Sequence, residues 1–131
     1  MNILTLEQLL QIHALVIKAT GGGVGLRDLG RLEAAIATQT QNVFGEELYA
    51  STIEKAAAII RGIVADHPFV DGNKRTAMLA GLTLLEINSM SFVAAKGEIE
   101  DFAVSIAIDQ LDVPAVAIWL RKHAASSSEQ T

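Results

Sequence analysis

Apolar side chains return at helical spacing from the start of the chain, at Leu6, Leu9, Leu10, His13, Val16 and Ile17. A Thr5–Gln8 capping box opens that stripe and the glycines Gly21 to Gly23 close it, which predicts a first helix. A shorter helix is expected over about residues 30–39, with Leu32, Ala35 and Ile36 inward. The segment QNVFGEELYA (41–50) loses the helical period. Ser51 to Glu54 reads as a second capping box, and Ile53, Ala57, Ile60 and Val64 carry a helix on to about Ala65. After a polar interruption, KRTAMLAGLTLLEIN is a strongly apolar helix stopping near Asn88 and Ser89. MSFVAA suits a short extended link, and KGEIEDFAVSIAIDQ a further helix. Asp112 is a natural N-cap with Pro114 in the first turn of a last helix through Trp119. No internal repeat or long linker divides the chain. The pattern predicts an all-α fold: one compact domain of about six helices over residues 1–125, and a small, polar, disordered tail over 126–131.

Composition narrows the class. Half of the 131 residues are hydrophobic, enough to build a core, and there are only two prolines. Ten Lys and Arg stand against fifteen Asp and Glu, for a net charge of -5. That balance argues against direct nucleic-acid binding, which draws on clustered cations. With no cysteine, disulfides and thiolate metal sites are excluded. The N-terminus has no basic region before an apolar run, and no apolar stretch reaches the roughly 18 residues needed to span a bilayer. A cytoplasmic protein with no membrane partner is expected.

The interruption itself, HPFVDGNKRT (67–76), concentrates chemistry between two apolar helices. It sits where one helix ends and the next begins, and a helix N-terminus offers unpaired N–H groups and partial positive charge to an anion. Gly72 permits positive φ and close approach of a ligand, and Asn73 can hold the loop in shape. Lys74 and Arg75 place two cations in the first helical turn, where the macrodipole disfavours them, so a bound phosphate would give them a reason. Asp71 is a hard oxygen ligand suited to Mg²⁺ bridging phosphates, and His67 is of the residue type most often used for proton transfer near neutral pH. Together these are the parts of phosphoryl or nucleotidyl transfer. The plain alternative is a Pro/Gly/Asn turn whose Phe69 and Val70 meet the core while the cations are solvated. GGGVG (21–25) fits no phosphate-loop pattern and follows a helix, so it reads as a loop. His13, on an apolar helix face, reads as a satisfied core histidine, and His123 as inert beside a frayed terminus. Arg121 and Lys122 complement a helix C-terminus.

This stretch closely resembles the motif of the Fic/Doc (Fido) family, and within it the death-on-curing branch, with pattern H-x-F-x-[DN]-[AG]-N-K-R. The likeness extends to IHALVIKATGGGVGLRDLGRLEAAIA and to the segment from Phe44 to Asn88, so that it covers about residues 6–90. The resemblance implies that His67 is the base taking a proton from a target hydroxyl. It implies that Asp71 holds Mg²⁺ or orients that hydroxyl, that Gly72 and Asn73 form an anion hole, and that Lys74 and Arg75 grip the phosphates of ATP. Phe69 would anchor the loop in the core. Phe44, Gly45, Glu46, Glu47, Leu48 and Tyr49 would form a flap that docks the target by strand addition.

The toxins of that branch phosphorylate a threonine of elongation factor Tu, arrest translation, and are restrained by a small Phd-like antitoxin acting in trans. No stretch of the chain matches the family's self-inhibitory pattern [ST]-x-x-x-E-[GN], which also points to restraint by a separate chain. The AMP-transferring branch reads H-P-F-x-x-G-N-G-R-x-x-R, whereas this chain has Lys74 and Met78 at the two departing positions. A lysine there adds bulk and a point charge, and a methionine removes a phosphate clamp. Both favour a kinase over the AMP-transferase and non-catalytic alternatives.

Overall fold

The computed structural model describes residues 1–126 and consists of six α-helices with two small two-stranded sheets. The helices are α1 (Leu6–Thr20), α2 (Leu29–Ala37), α3 (Thr52–Asp66), α4 (Asn73–Ile87), α5 (Glu98–Ile108) and α6 (Val113–His123). The strands are β1 (Asn42–Val43), β2 (Glu46–Glu47), β3 (Met90–Phe92) and β4 (Ala124–Ser126).

Local chemistry sets the helix ends. The Thr5 hydroxyl accepts from the Gln8 N–H at 3.2 Å while the Gln8 side chain accepts from the Thr5 N–H at 2.9 Å, a complete capping box. At α3 the box is only half made. The Ser51 hydroxyl accepts from the Glu54 N–H, but the Glu54 carboxylate accepts from that hydroxyl and not from the Ser51 backbone. Asp112 caps α6 by accepting from the Ala115 N–H at 3.0 Å. The second helix starts at its own cap, Asp28, and tightens into a 3₁₀ turn at Thr38–Thr40 in place of running on to residue 39.

Burial explains the arrangement. Eight apolar residues of α3, among them Ile59, Ile60 and Ile63, are buried, so this helix has almost no solvent face. It packs on α4, α6 and α2, while α4 carries α1 and α5. A Cβ at Gly81 of α4 would overlap the Ile60 side chain, which shows how closely the two central helices approach. Among the described residues no helix is long and apolar enough to cross a membrane.

Two expectations change at the C-terminal end. Ala124–Ser126 pair antiparallel with Met90–Phe92, so the extended link 90–92 has a partner and Ser126 belongs to a strand; residues 127–131 lie outside the described residues. His123 is not idle either. Its Nδ1–H donates to the Trp119 carbonyl at 2.8 Å and its Nε2 meets the Glu98 carboxylate at 2.8 Å, tying α6 to α5.

Candidate active site

The two central helices run into the loop 67–72 at one end of the bundle, and both hinge residues are left-handed. His67 ends α3 with φ 48° and its N–H on the Ile63 carbonyl, and Gly72 opens α4 with φ 74°. Positive φ is free for glycine and disfavoured for histidine. The loop is therefore held from outside. The guanidinium of Arg27 donates to the carbonyls of His67 and Asp66, at 2.9 and 3.2 Å, and that of Arg31 reaches Asp66 at 2.8 Å. These bonds satisfy the end of α3. The Pro68 carbonyl accepts from the N–H groups of Arg27 and Asp28, and Val70 donates to the Gly25 carbonyl.

Inside the loop, Phe69 is 1% exposed and lies flat on His13 of α1. His13 is satisfied and buried: its Nε2–H donates to the Asp71 carbonyl at 2.9 Å, which fixes its tautomer. The Asn73 amide is turned inward, bracketing Phe69 by accepting from its N–H and donating to its carbonyl, both at 3.0 Å. The side chain of Asn73 thus shapes the loop, and only its backbone N–H is left for an anion. That group and the N–H groups of Lys74 and Arg75 have no partner among the described residues. The Gly72 N–H is different, because it already donates to Asp71 Oδ1 at 2.8 Å.

These groups line an open cavity of about 560 Å³, with His67, Asp71, Lys74 and Arg75 as its charged or titratable members. The His67 imidazole, the Lys74 ammonium and the Arg75 guanidinium make no hydrogen bond or ion pair among the described residues. Two cations with no protein partner and three unpaired N–H groups thus concentrate positive charge and free donors at one end of this cavity. Thr76, one residue on, is fully buried with an unpaired hydroxyl, for which the packing offers no account.

The segment 42–47 is a β-hairpin turning at Phe44 and Gly45, which have φ 52° and 82°. Two consecutive positive φ values are the geometry that joins short antiparallel strands. Phe44 is fully exposed at the tip, and β2 is tied to the core through Glu47, which receives the Lys55 ammonium at 2.9 Å. Leu48 extends the hairpin by one backbone bond, its N–H donating to the Gln41 carbonyl at 2.8 Å, and Tyr49 follows it. Met78 does not line the cavity at the head of α4. It is 2% exposed and lines a neighbouring apolar groove of about 680 Å³ between α1, α4 and α5, whose walls include Thr20, Lys74 and Arg75.

A six-helix bundle with a charged loop between its two central helices fits one family, and sequence comparison agrees. Residues 3–85 match the Fic/DOC family, and the chain belongs to it. It is 36% identical to the toxin Doc of Mycolicibacterium smegmatis over 83% of this chain and 85% of that protein. It is 34% identical to the protein kinase doc of Escherichia phage P1, over 88% of this chain and 90% of the relative.

Sequence reading missed two participants in the site. His13 reaches it across 58 positions, and the glycine run 21–23 meets Asp71 across 48. A buried histidine and a glycine cluster were visible; their distance to the motif was not.

Proposed function

We propose that the protein is the toxin of a toxin–antitoxin pair, a cytoplasmic protein kinase that moves the γ-phosphate of ATP to a threonine hydroxyl of an elongation factor Tu-like target. The observation that carries this reading is the set of unpartnered groups at the head of α4: Lys74, Arg75 and three free N–H groups, facing an exposed His67 across one cavity. The names of the two relatives support it, since one is called a toxin and the other a protein kinase.

The residues fit ATP and Mg²⁺. The first turn of α4 with Lys74 and Arg75 would hold phosphate oxygens, and Asp71 is the one carboxylate in that wall. Among the described residues there is no cluster of three metal-ligating side chains, which suits a cation that keeps most of its ligands from phosphates and water. Mg²⁺ would neutralise charge on the phosphates during transfer. His67, with both ring nitrogens free, is placed to take the proton of an incoming hydroxyl as the oxygen–phosphorus bond forms. The hairpin 42–47 would pair with an extended segment of the target, with Phe44 as its exposed contact.

The apolar groove beside the site suits restraint in trans. An amphipathic segment of a small antitoxin lying there would reach the groove walls at Lys74 and Arg75 and so block the phosphates.

The choice between phosphate and AMP transfer turns on Lys74 and Met78. Lys74 stands in the cavity wall and Met78 faces the groove, which leaves no second arginine clamp for distant phosphates. Incubating target extract with ATP labelled at the γ or at the α position decides it. Label on protein from the γ position alone is expected; label from the α position establishes an AMP transferase. Absence of transfer by wild-type protein and His67→Ala alike would instead leave a binding module.

A further inference from the structure

The glycine run that matches no phosphate-binding pattern turns out to face the carboxylate of the motif. Gly22 has φ 115°, and a Cβ built there would lie 2.6 Å from Asp71 Oδ2 and 3.2 Å from its Cγ. Real Cβ atoms do not approach oxygen so closely, so either the carboxylate or the loop would have to shift. The next residue makes the contact favourable: the Gly23 N–H donates to the same Oδ2 at 3.3 Å. From Asp71's own loop the next N–H, that of Gly72, donates to Oδ1 at 2.8 Å. The carboxylate is thus held by two backbone donors, one from the glycine run and one from its own loop, and the space it fills is the space a side chain at position 22 would need.

We infer that Gly22 is a positioning residue, which acts through Asp71 by leaving room for its carboxylate at the mouth of the phosphate cavity. The inference rests on the reading of Asp71 as a ligand of nucleotide-borne Mg²⁺. Groups that hold a metal ligand in place act much as partners of ligands do elsewhere, where their loss costs about 10- to 100-fold in affinity. A glycine at 22 needed only for its positive φ would behave differently, because it would matter whether or not Asp71 were present.

Four variants separate these cases: Gly22→Ala, Asp71→Ala, the double variant, and Gly25→Ala. Gly25 has φ 126° in the same loop and a Cβ there would make only ordinary contact, 3.8 Å from Val70, so it controls for backbone strain. Binding of Mg²⁺·ATP by calorimetry, and the Gly72 amide resonance without nucleotide, are the readouts. Gly22→Ala is expected to weaken binding about 10-fold or more and to move the Gly72 resonance toward its position in Asp71→Ala. Gly25→Ala should change binding less than about threefold, and Gly22→Ala should add less than about twofold once Asp71 is gone. Asp71→Glu, which crowds an unaltered Gly22, should weaken binding too and serves if Gly22→Ala does not fold. Equal losses from Gly22→Ala with and without Asp71, or wild-type binding by Asp71→Glu, overturn the inference. Weak binding by Asp71→Ala together with wild-type binding by Gly22→Ala overturns the inference alone, whereas unchanged binding by Asp71→Ala overturns the Mg²⁺-ligand reading and the inference with it.

Discussion

His13 lies face to face on Phe69, with ring centroids 3.8 Å apart and planes within 6°. The same imidazole donates to the Asp71 carbonyl, so one side chain of α1 holds the loop at two points. His13→Ala should lower stability by about 1–3 kcal/mol, the sum of a ring stack and a buried hydrogen bond. His13→Phe restores the stack but not the bond. It should recover much of the unfolding midpoint while transfer activity stays depressed, and chemical denaturation beside an activity assay checks both.

At His67 the backbone is left-handed, with φ 48°, which makes asparagine the better replacement because it tolerates that region. His67→Asn should fold normally and lose about 10²- to 10⁴-fold in transfer, as loss of a general base does. Near-normal transfer by a well-folded His67→Asn protein would remove the histidine from the chemistry.

Gly81 lies where α4 approaches α3 too closely for a side chain, since a Cβ there would overlap Ile60. A methyl at that position overlaps Ile60 in a part of the core with no free space, so Gly81→Ala should cost about 1–3 kcal/mol despite the better helix propensity of alanine. A thermal midpoint equal to or above wild type would show that the helices separate easily.

How far the chain could be read before the structure depended on the range of the interaction. The caps at Thr5, Asp112 and, in part, Ser51 are local, as is the periodicity of α1, α3 and α4, and these elements were legible. The hairpin 42–47 was visible only as lost helical period, because two-residue strands carry no alternation. The pairing of Ala124–Ser126 with β3 was hidden for a similar reason, since a short run of small residues signals a tail as readily as a strand. His123 was misjudged because its partner Glu98 lies 25 positions away on another helix. The motif located the cavity, while the inward turn of the Asn73 amide is a tertiary fact.

Lys55 is 2% exposed, and its ammonium donates to the Gln39 carbonyl and to the Glu47 carboxylate on β2. Replacing it with methionine leaves the Gln39 carbonyl short of a donor and frees the hairpin. Lys55→Met should cost about 1–3 kcal/mol, and limited proteolysis should cut within residues 41–50 faster than in wild type. Equal cleavage rates would mean that the hairpin is held by other contacts.

Both ring nitrogens of His123 face acceptors, the Trp119 carbonyl and the Glu98 carboxylate, so the protonated ring is favoured. Its pKa is raised above the ordinary 6.5, chiefly by the Trp119 carbonyl and then by Glu98. Glu98 is lowered below 4.5 by the Ala95 N–H and then by His123. A raised histidine stabilises below its unfolded pKa and loses that contribution as pH rises through the folded one; a lowered glutamate stabilises above its unfolded pKa. The pair therefore contributes most between about 4.5 and 6.5 and fades above. Wild type should lose stability relative to His123→Gln as pH climbs through that upper limit, and parallel curves would contradict it.

Thr20, Lys74 and Arg75 stand in the walls of both the phosphate cavity and the apolar groove. Two ligands that share wall residues are thermodynamically linked. Whatever factor a groove occupant imposes on nucleotide affinity, the nucleotide must impose on the occupant in return. If the groove takes an antitoxin segment and the cavity takes ATP, as proposed, ATP would loosen the segment that excludes it, so the cell's nucleotide level would enter the strength of the restraint, and release would be graded by metabolic state as well as by antitoxin supply.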